Sequence, residues 1–190
     1  MDQVPILYVL AGPNGAGKST FVERVLQPKT HLSFVNADVI AAATWPAAAG
    51  AQAYAAAALA AEERQRLLIA RESFITETVF SHRNKLDLLT DAKNAGYHTS
   101  LHVMLIPEDL SVARVAHRVR RGGHDVPEDK IRTRHRRLWA LVARARGIVD
   151  EACFYDNSLA RTPFRPVATY ERGRPVGVPQ WPDWAPPELT

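Results

Sequence analysis

The sequence predicts an α/β fold with a mostly parallel central sheet flanked by helices, and three observations predict it. Apolar stretches of strand length alternate with segments of helical periodicity along most of the chain. The first such stretch, ILYVLA (Ile6–Ala11), is almost wholly apolar, as expected of a parallel strand buried on both faces. It runs straight into a glycine-rich turn. Polar residues recur just past the later apolar runs, at the edge where an open parallel sheet holds its ligands.

That turn is the most informative part of the chain. Gly12-Pro13-Asn14-Gly15-Ala16-Gly17-Lys18-Ser19, followed by Thr20, fits G-x-x-x-x-G-K-[ST] at every position. A loop of this pattern wraps a polyphosphate with its backbone N–H groups, and glycines keep its inner face clear. The helix beginning at Lys18 aims its N-terminal amides and its dipole at the same anion. Lys18 is expected to reach the outer phosphates and the Ser19 hydroxyl to ligate Mg²⁺. Residues 12–20 are therefore expected to bind ATP with Mg²⁺, in a P-loop NTPase fold of nucleoside-kinase-like build.

A chain of 190 residues is most simply one domain, here 1–190, long enough to bury a substantial core. Hydrophobic content of 46% and charged content of 23% are ordinary for a globular protein. The N-terminal apolar run is too short for a membrane span, lacks a basic lead-in and continues into the loop, so no membrane partner is expected. One cysteine, Cys153, excludes an internal disulfide and fits a reducing, cytoplasmic setting. The net charge of +4 is uneven: residues 114–146 carry ten Arg and one Lys against three acids. Such a segment grips RNA or DNA, or surrounds a highly charged small molecule such as ATP. The phosphate loop favours the second, because a triphosphate there already needs neutralising.

Taken in order, the first helix runs to about Leu26, and Pro28 with its polar neighbours marks a loop. SFVNADVIA reads as a short strand ending near Asn36, with Asp38 at the turn into a helix. Asp38 then faces the γ-phosphate region, either as general base for a substrate hydroxyl or as a helix N-cap. Residues 51–70 form a long alanine-rich helix with Glu62, Glu63, Arg64 and Arg66 on its outer face; its small side chains permit close approach but name no chemistry. ESFITETVF is the third strand, delivering Glu77 and Thr78 to the same edge. Glu77 binds substrate hydroxyls, orients a Mg²⁺-bound water, or is a strand-end acid paired with an arginine. Ser81 follows as a substrate contact or a helix cap.

Residues 82–95 suit an amphipathic helix closed by Gly96, and TSLHVMLI a strand in which His102 packs rather than ligates. Residues 108–121 are a helix; Gly122-Gly123 breaks it and Pro127 starts another. Two arginine-laden helices joined by such a hinge suit a lid, 114–137, closing over a nucleotide. Arg118, Arg121 and Arg134 are the candidates for stabilising a transferred phosphoryl group, and His124 at the hinge for touching substrate. ACFYDNS is a strand ending in a polar turn where Asn157 can meet the adenine. Residues 161–190 hold seven of the thirteen prolines and read as a last strand, a turn near Gly173 and a tail packed through Trp181 and Trp184 or partly loose.

AGPNGAGKST, VNADVIA, ESFITETVFS, RVRRGGHDVPEDKIRTRHRR and YDNS, in that order, cover most of residues 5–160. Together they resemble the zeta-toxin-like kinases, in a compact branch that is also similar to chloramphenicol phosphotransferases. The resemblance implies that Asp38 deprotonates a substrate hydroxyl, that Lys18 and lid arginines stabilise the transferred group, and that Glu77 helps bind substrate. The family's best-known members phosphorylate UDP-N-acetylglucosamine and are toxins held in check by an antitoxin, which implies an antitoxin partner. Val79 stands where relatives often carry a second threonine. The resulting expectation is an ATP-dependent kinase acting on a hydroxyl of a small molecule, such as a nucleotide sugar. Its rivals are a nucleic-acid-directed kinase or binder using the arginine segment, and a nucleotide switch that transfers nothing.

Overall fold

Strand β1 (Ile6–Ala11) is central to a seven-stranded sheet. The computed structural model describes residues 4–48, 50–123 and 126–190; the His124 expectation lies outside them. The chain leaves β1 through the glycine-rich loop into α1, one helical stretch made of Lys18–Phe21, a π-helical Val22–Leu26 and Gln27–Thr30. Then come β2 (Ser33–Val35), α2 (Ala37–Thr44), α3 (Ala53–Ala70), β3 (Phe74–Thr78) and α4 (Asn84–Asn94). They are followed by β4 (His98–Leu105), α5 (Glu108–Arg120), α6 (Glu128–Arg146), β5 (Glu151–Asp156), β6 (Arg165–Glu171) and β7 (Arg174–Pro175).

The strand order is β2-β3-β1-β4-β5-β6-β7. The first five are mutually parallel and the last two antiparallel, so the expected mostly parallel α/β sheet is what forms. Alternation along β1 divides the core. Leu7, Val9 and Ala11 face a large cluster with Leu67 of α3, Leu89 of α4 and Leu138, Trp139 and Val142 of α6. Leu10 faces the other side, with Phe21, Val22 and Leu26 of α1 and with Ile75 and Met104. Helices therefore cover both faces, which is why the inner strands read as continuous apolar runs.

Pro28 does not end α1; it lies inside its last segment. In an unbroken α-helix its ring would collide with the Arg24 carbonyl, and the wider π turn immediately before it relieves that conflict. The C-terminal part forms a hairpin, β6–β7, turned at Gly173, and the tail packs onto the large core through Trp181, Trp184 and Leu189. His102 packs as expected. Its ring lies 3.1 Å from both Ser100 Oγ and Tyr155 Oη, and burial pushes its pKa down to about 4, so it is neutral. No helix among the described residues is long and apolar enough to cross a membrane.

Asp150 ties three elements together and sets an acid limit on the fold. Its carboxylate accepts from Lys93 Nζ (2.8 Å), Thr99 N (2.9 Å) and Thr99 Oγ1 (2.9 Å). Burial alone would raise its pKa, but Lys93 and the two Thr99 donors outweigh it and hold the group at about 2. A carboxyl depressed in the folded state contributes stability that is complete above its unfolded value of about 4 and is lost as pH falls through its folded value. Urea denaturation should show wild-type stability dropping by about 2 kcal/mol from this group between about pH 4 and pH 2. Asp150→Asn should be weaker at neutral pH and lack that part of the acid slope; an unchanged slope would exclude this origin.

Candidate active site

The loop's conformation requires its glycines. Gly12, at φ 145°, would place a Cβ 2.5 Å from the Met104 carbonyl oxygen, and Gly17, at φ 87°, one 2.6 Å from Asn157 Nδ2. The loop is also braced from outside. Ser111 Oγ donates to the Asn14 carbonyl (2.6 Å) and Arg114 Nη1 to that of Gly15 (3.3 Å), both from α5. Asn157 Nδ2 donates to the Ala16 carbonyl (2.8 Å) while its Oδ1 accepts from Phe164 N (3.2 Å). Asn157, the expected adenine contact, is thus placed against the loop. Both ends of the Asn157 amide are engaged, so it supports the loop from beneath.

Lys18 is buried at the start of α1. Its Nζ donates to the Pro13 carbonyl (3.0 Å) and stands 3.7 Å from Glu77 Oε1. Burial lowers its pKa, more than Glu77 and Asp38 raise it, so the site lacks negative charge that a bound anion supplies. Glu77 emerges from β3 at the end of β1, where the two strands pair Leu10 with Glu77 and Ala11 with Thr78. Its Oε2 accepts from Ser19 Oγ (2.7 Å) and from Asn36 Nδ2 (3.0 Å). The expected alternative of an arginine partner is not what forms; the acid meets Lys18, Ser19 and Asn36.

Asn36 also settles the capping question. Its Oδ1 accepts from Asp38 N (2.7 Å) and Val39 N (3.3 Å), so Asn36 caps α2 and the Asp38 side chain does not. Asp38 instead lines the site.

Two cavities meet here. One, of about 370 Å³, is lined by Asn14, Gly15, Gly17, Lys18, Ser19 and Thr20 of the loop, with Arg114 and Arg118 of α5. Gly12, Pro13 and Ala16 lie behind that lining and shape the turn. The other, of about 310 Å³, is walled by Ala57, Ala60 and Arg64 of α3, by Thr78 and Ser81, by His82 and Lys85, and by Arg134 of α6. Asp38, Glu77 and Val79 line both. The Thr78 hydroxyl accepts from Phe80 N (3.1 Å), and buried Phe80 takes a positive φ of 63°, a conformation costly for a bulky residue. That turn is where the chain passes from β3 to Ser81 and His82 at the cavity wall. Ser81 does not cap α4, whose start at Arg83 has no side-chain cap.

The lid arginines are distributed differently from the expectation. Arg118 lines the loop cavity, Arg134 lines its neighbour, and Arg121, exposed at the end of α5, lines neither. Sequence reasoning missed Arg114, although its spacing of four from Arg118 places both on one helix face. It also placed Arg64 on the outer face of α3, whereas Arg64 is half-buried in the cavity wall. Nothing in the local pattern marks Arg64 or Lys85. Other arginines of the basic segment are consumed locally: Arg132 and Arg136 bind Glu108, and Arg132 also Asp109 and Glu128.

The residues present fit a magnesium nucleotide. Ser19 Oγ and a Glu77 carboxylate oxygen converge beside a buried, charge-deficient Lys18, and Mg²⁺ takes one or two protein oxygens alongside phosphate and water.

A parallel sheet of order 2-3-1-4-5, with a G-x-x-x-x-G-K-S loop at the end of its central strand, defines a P-loop NTPase of kinase-like build. A family model described as an AAA domain matches residues 7–145, and the chain belongs to that family. No curated protein sequence matches it significantly. Among solved structures, a chain of the AvrRxo1-ORF1:-ORF2 complex with ATP is similar at TM-score 0.70 and 16% identity, over 92% of this chain. The present chain spans 61% of that neighbour's length. The PezAT chromosomal toxin-antitoxin system of Streptococcus pneumoniae is similar at TM-score 0.63 and 15% identity, over 87% of this chain and 72% of that one. A chain of the Pnkp1/Rnl/Hen1 RNA repair complex gives TM-score 0.59 and 17% identity, over 95% of this chain and 50% of that one. At these identities the likeness is one of fold, and it agrees with the zeta-toxin-like P-loop kinase resemblance.

Proposed function

We propose that the chain is an ATP-dependent kinase that moves the γ-phosphoryl group to a hydroxyl of a small molecule. The observation carrying this reading is that the loop cavity and its neighbour meet at Asp38 and Glu77. ATP occupies the first and the acceptor the second, so the acceptor hydroxyl lies against the Asp38 carboxylate. Asp38 takes the hydroxyl proton as the acceptor oxygen bonds to the γ-phosphorus and the bond to the β,γ-bridging oxygen breaks, releasing ADP. Lys18 and Arg118 neutralise charge on the transferring group. Ser19 and Glu77 would hold Mg²⁺, which supplies charge neutralisation across the phosphates when bound. Glu77, Thr78 and Ser81 contact the acceptor.

Nucleotide sugars such as UDP-N-acetylglucosamine lead the candidates through the zeta-toxin-like resemblance, and an antitoxin partner is proposed on the same ground. A polynucleotide acceptor is disfavoured because Arg132 and Arg136 of the basic segment are already ion-paired. The test is mass spectrometry of nucleotide sugars, nucleosides, chloramphenicol and a short RNA incubated with protein, ATP and Mg²⁺. A phosphate-sized mass gain on one small molecule is expected. A gain confined to RNA would overturn the small-molecule reading, and ATP binding with no acceptor modified would favour a switch.

The hinge glycine carries a separate prediction. A Cβ on Gly123 would stand 2.5 Å from Arg118 Cγ and 3.1 Å from the Arg118 carbonyl oxygen. Gly123→Ala should therefore displace Arg118 and slow transfer by roughly ten- to a hundredfold. Combined with Arg118→Ala it should cost little more than Arg118→Ala alone, since both remove one interaction. Full additivity in steady-state rates would show that Gly123 acts elsewhere.

A further inference from the structure

The second cavity holds positive charge that has no partner among the described residues. Arg64 from α3, Lys85 from α4 and Arg134 from α6 converge on it from three elements far apart in the chain. None of the three side chains makes a hydrogen bond or ion pair with another described residue, whereas Arg66, only two positions from Arg64, pairs with both Glu63 and Glu72. The two acids lining the same cavity do not answer this charge. Glu77 is bound by Ser19, Asn36 and Lys18, and Asp38 adjoins Lys18 at the loop end.

Nor is this charge needed for ATP. The loop cavity has its own cations, Lys18, Arg114 and Arg118, and the three outer cations are absent from it. Gathering like charges in a half-buried wall is unfavourable unless a ligand compensates them. Burial lowers the pKa of Arg64 and of Lys85, and Arg64 lowers that of Lys85 further. The two cations therefore feel each other as well as the loss of water.

From this geometry we infer that Arg64, Lys85 and Arg134 form an anion-binding subsite that anchors a phosphate or diphosphate group already present on the acceptor. The inference rests on reading this cavity as the acceptor site, and it narrows the acceptor to phosphorylated molecules. Guanidinium groups suit this task through paired N–H donors, and a lysine adds a mobile point charge. The anchor and Asp38 line one wall system, so a molecule held by its phosphate presents a hydroxyl to Asp38. Ala57 and Ala60 leave room between them. Neutral acceptors, chloramphenicol among them, gain nothing from the three cations.

The test is calorimetry on protein saturated with AMP-PNP and Mg²⁺, so that added phosphates do not report the loop. The titrants are matched pairs: glucose against glucose 1-phosphate, and uridine against UMP and UDP. At least one phosphorylated member should bind ten- to a hundredfold more tightly than its neutral partner. Arg64→Gln/Lys85→Gln should erase that advantage while AMP-PNP affinity, which also reports folding, stays unchanged. Arg64→Lys should keep a substantial part of it. Equal binding of neutral and phosphorylated members, or an advantage that survives the double substitution, would overturn the anion subsite. The kinase reading is judged apart: a phosphate advantage lost in the double variant, with no acceptor ever modified, would support the subsite and remove phosphoryl transfer.

Discussion

Asp38→Asn is expected to lower the rate of phosphoryl transfer by roughly 10²- to 10⁴-fold, the usual worth of a positioned general base, while ATP binds at least as well as before. The substitution keeps the shape of the side chain and removes its ability to accept a proton. The fold has no stake in that carboxylate, because Asn36 caps α2 and leaves Asp38 free of the cap. Loss of rate is thus separable from loss of structure. Asp38 also lies near enough to Lys18 to raise its pKa, so its removal takes a negative charge from beside the phosphates. ATP affinity should accordingly hold or tighten slightly. Single-turnover rates and ATP titrations on the same variant make the measurement. Undiminished transfer would remove Asp38 from the chemistry and assign proton abstraction to another base.

Gly12→Ala should abolish nucleotide binding and cost the fold about 3 kcal/mol or more. Two penalties coincide. At φ 145° an alanine occupies a region open essentially to glycine alone, and its Cβ would stand 2.5 Å from the Met104 carbonyl oxygen. Met104 belongs to β4, which pairs with both β1 and β5 in the middle of the sheet, so its backbone has nowhere to move. Gly122→Ala is the matched control: φ is 82°, but no atom lies within 4 Å of the added Cβ. It should cost about 1 kcal/mol, the conformational penalty alone. Urea unfolding and ATP titration of both variants separate strain from collision. Equal losses in the two would mean that contact with β4 does not hold the loop in shape.

The loop, the parallel strands and the split of the basic segment into two helices were legible because each is written in contiguous residues. Gly12 to Ser19 carries its own spacing, and Gly122-Gly123-x-x-x-Pro127 its own punctuation. Asp38 and Glu77 were legible as strand-end residues because parallel strands deliver their carboxyl ends to one edge. Local rules misread Pro28, where a π turn absorbs the proline, and gave no sign that the Asn157 amide braces the loop and Phe164.

By itself, then, the sequence determined a phosphate-binding loop on a parallel sheet, since the loop's chemistry depends on backbone conformation and near neighbours. Tertiary structure alone decided the second cavity. Its cations come from α3, α4 and α6, whose meeting is set by how those helices pack on one face of the sheet. Arg64 reads as a solvated charge on an alanine-rich helix until the fold brings Lys85 and Arg134 beside it. Burial and convergence, which create the demand for an anion, are properties of the assembled chain.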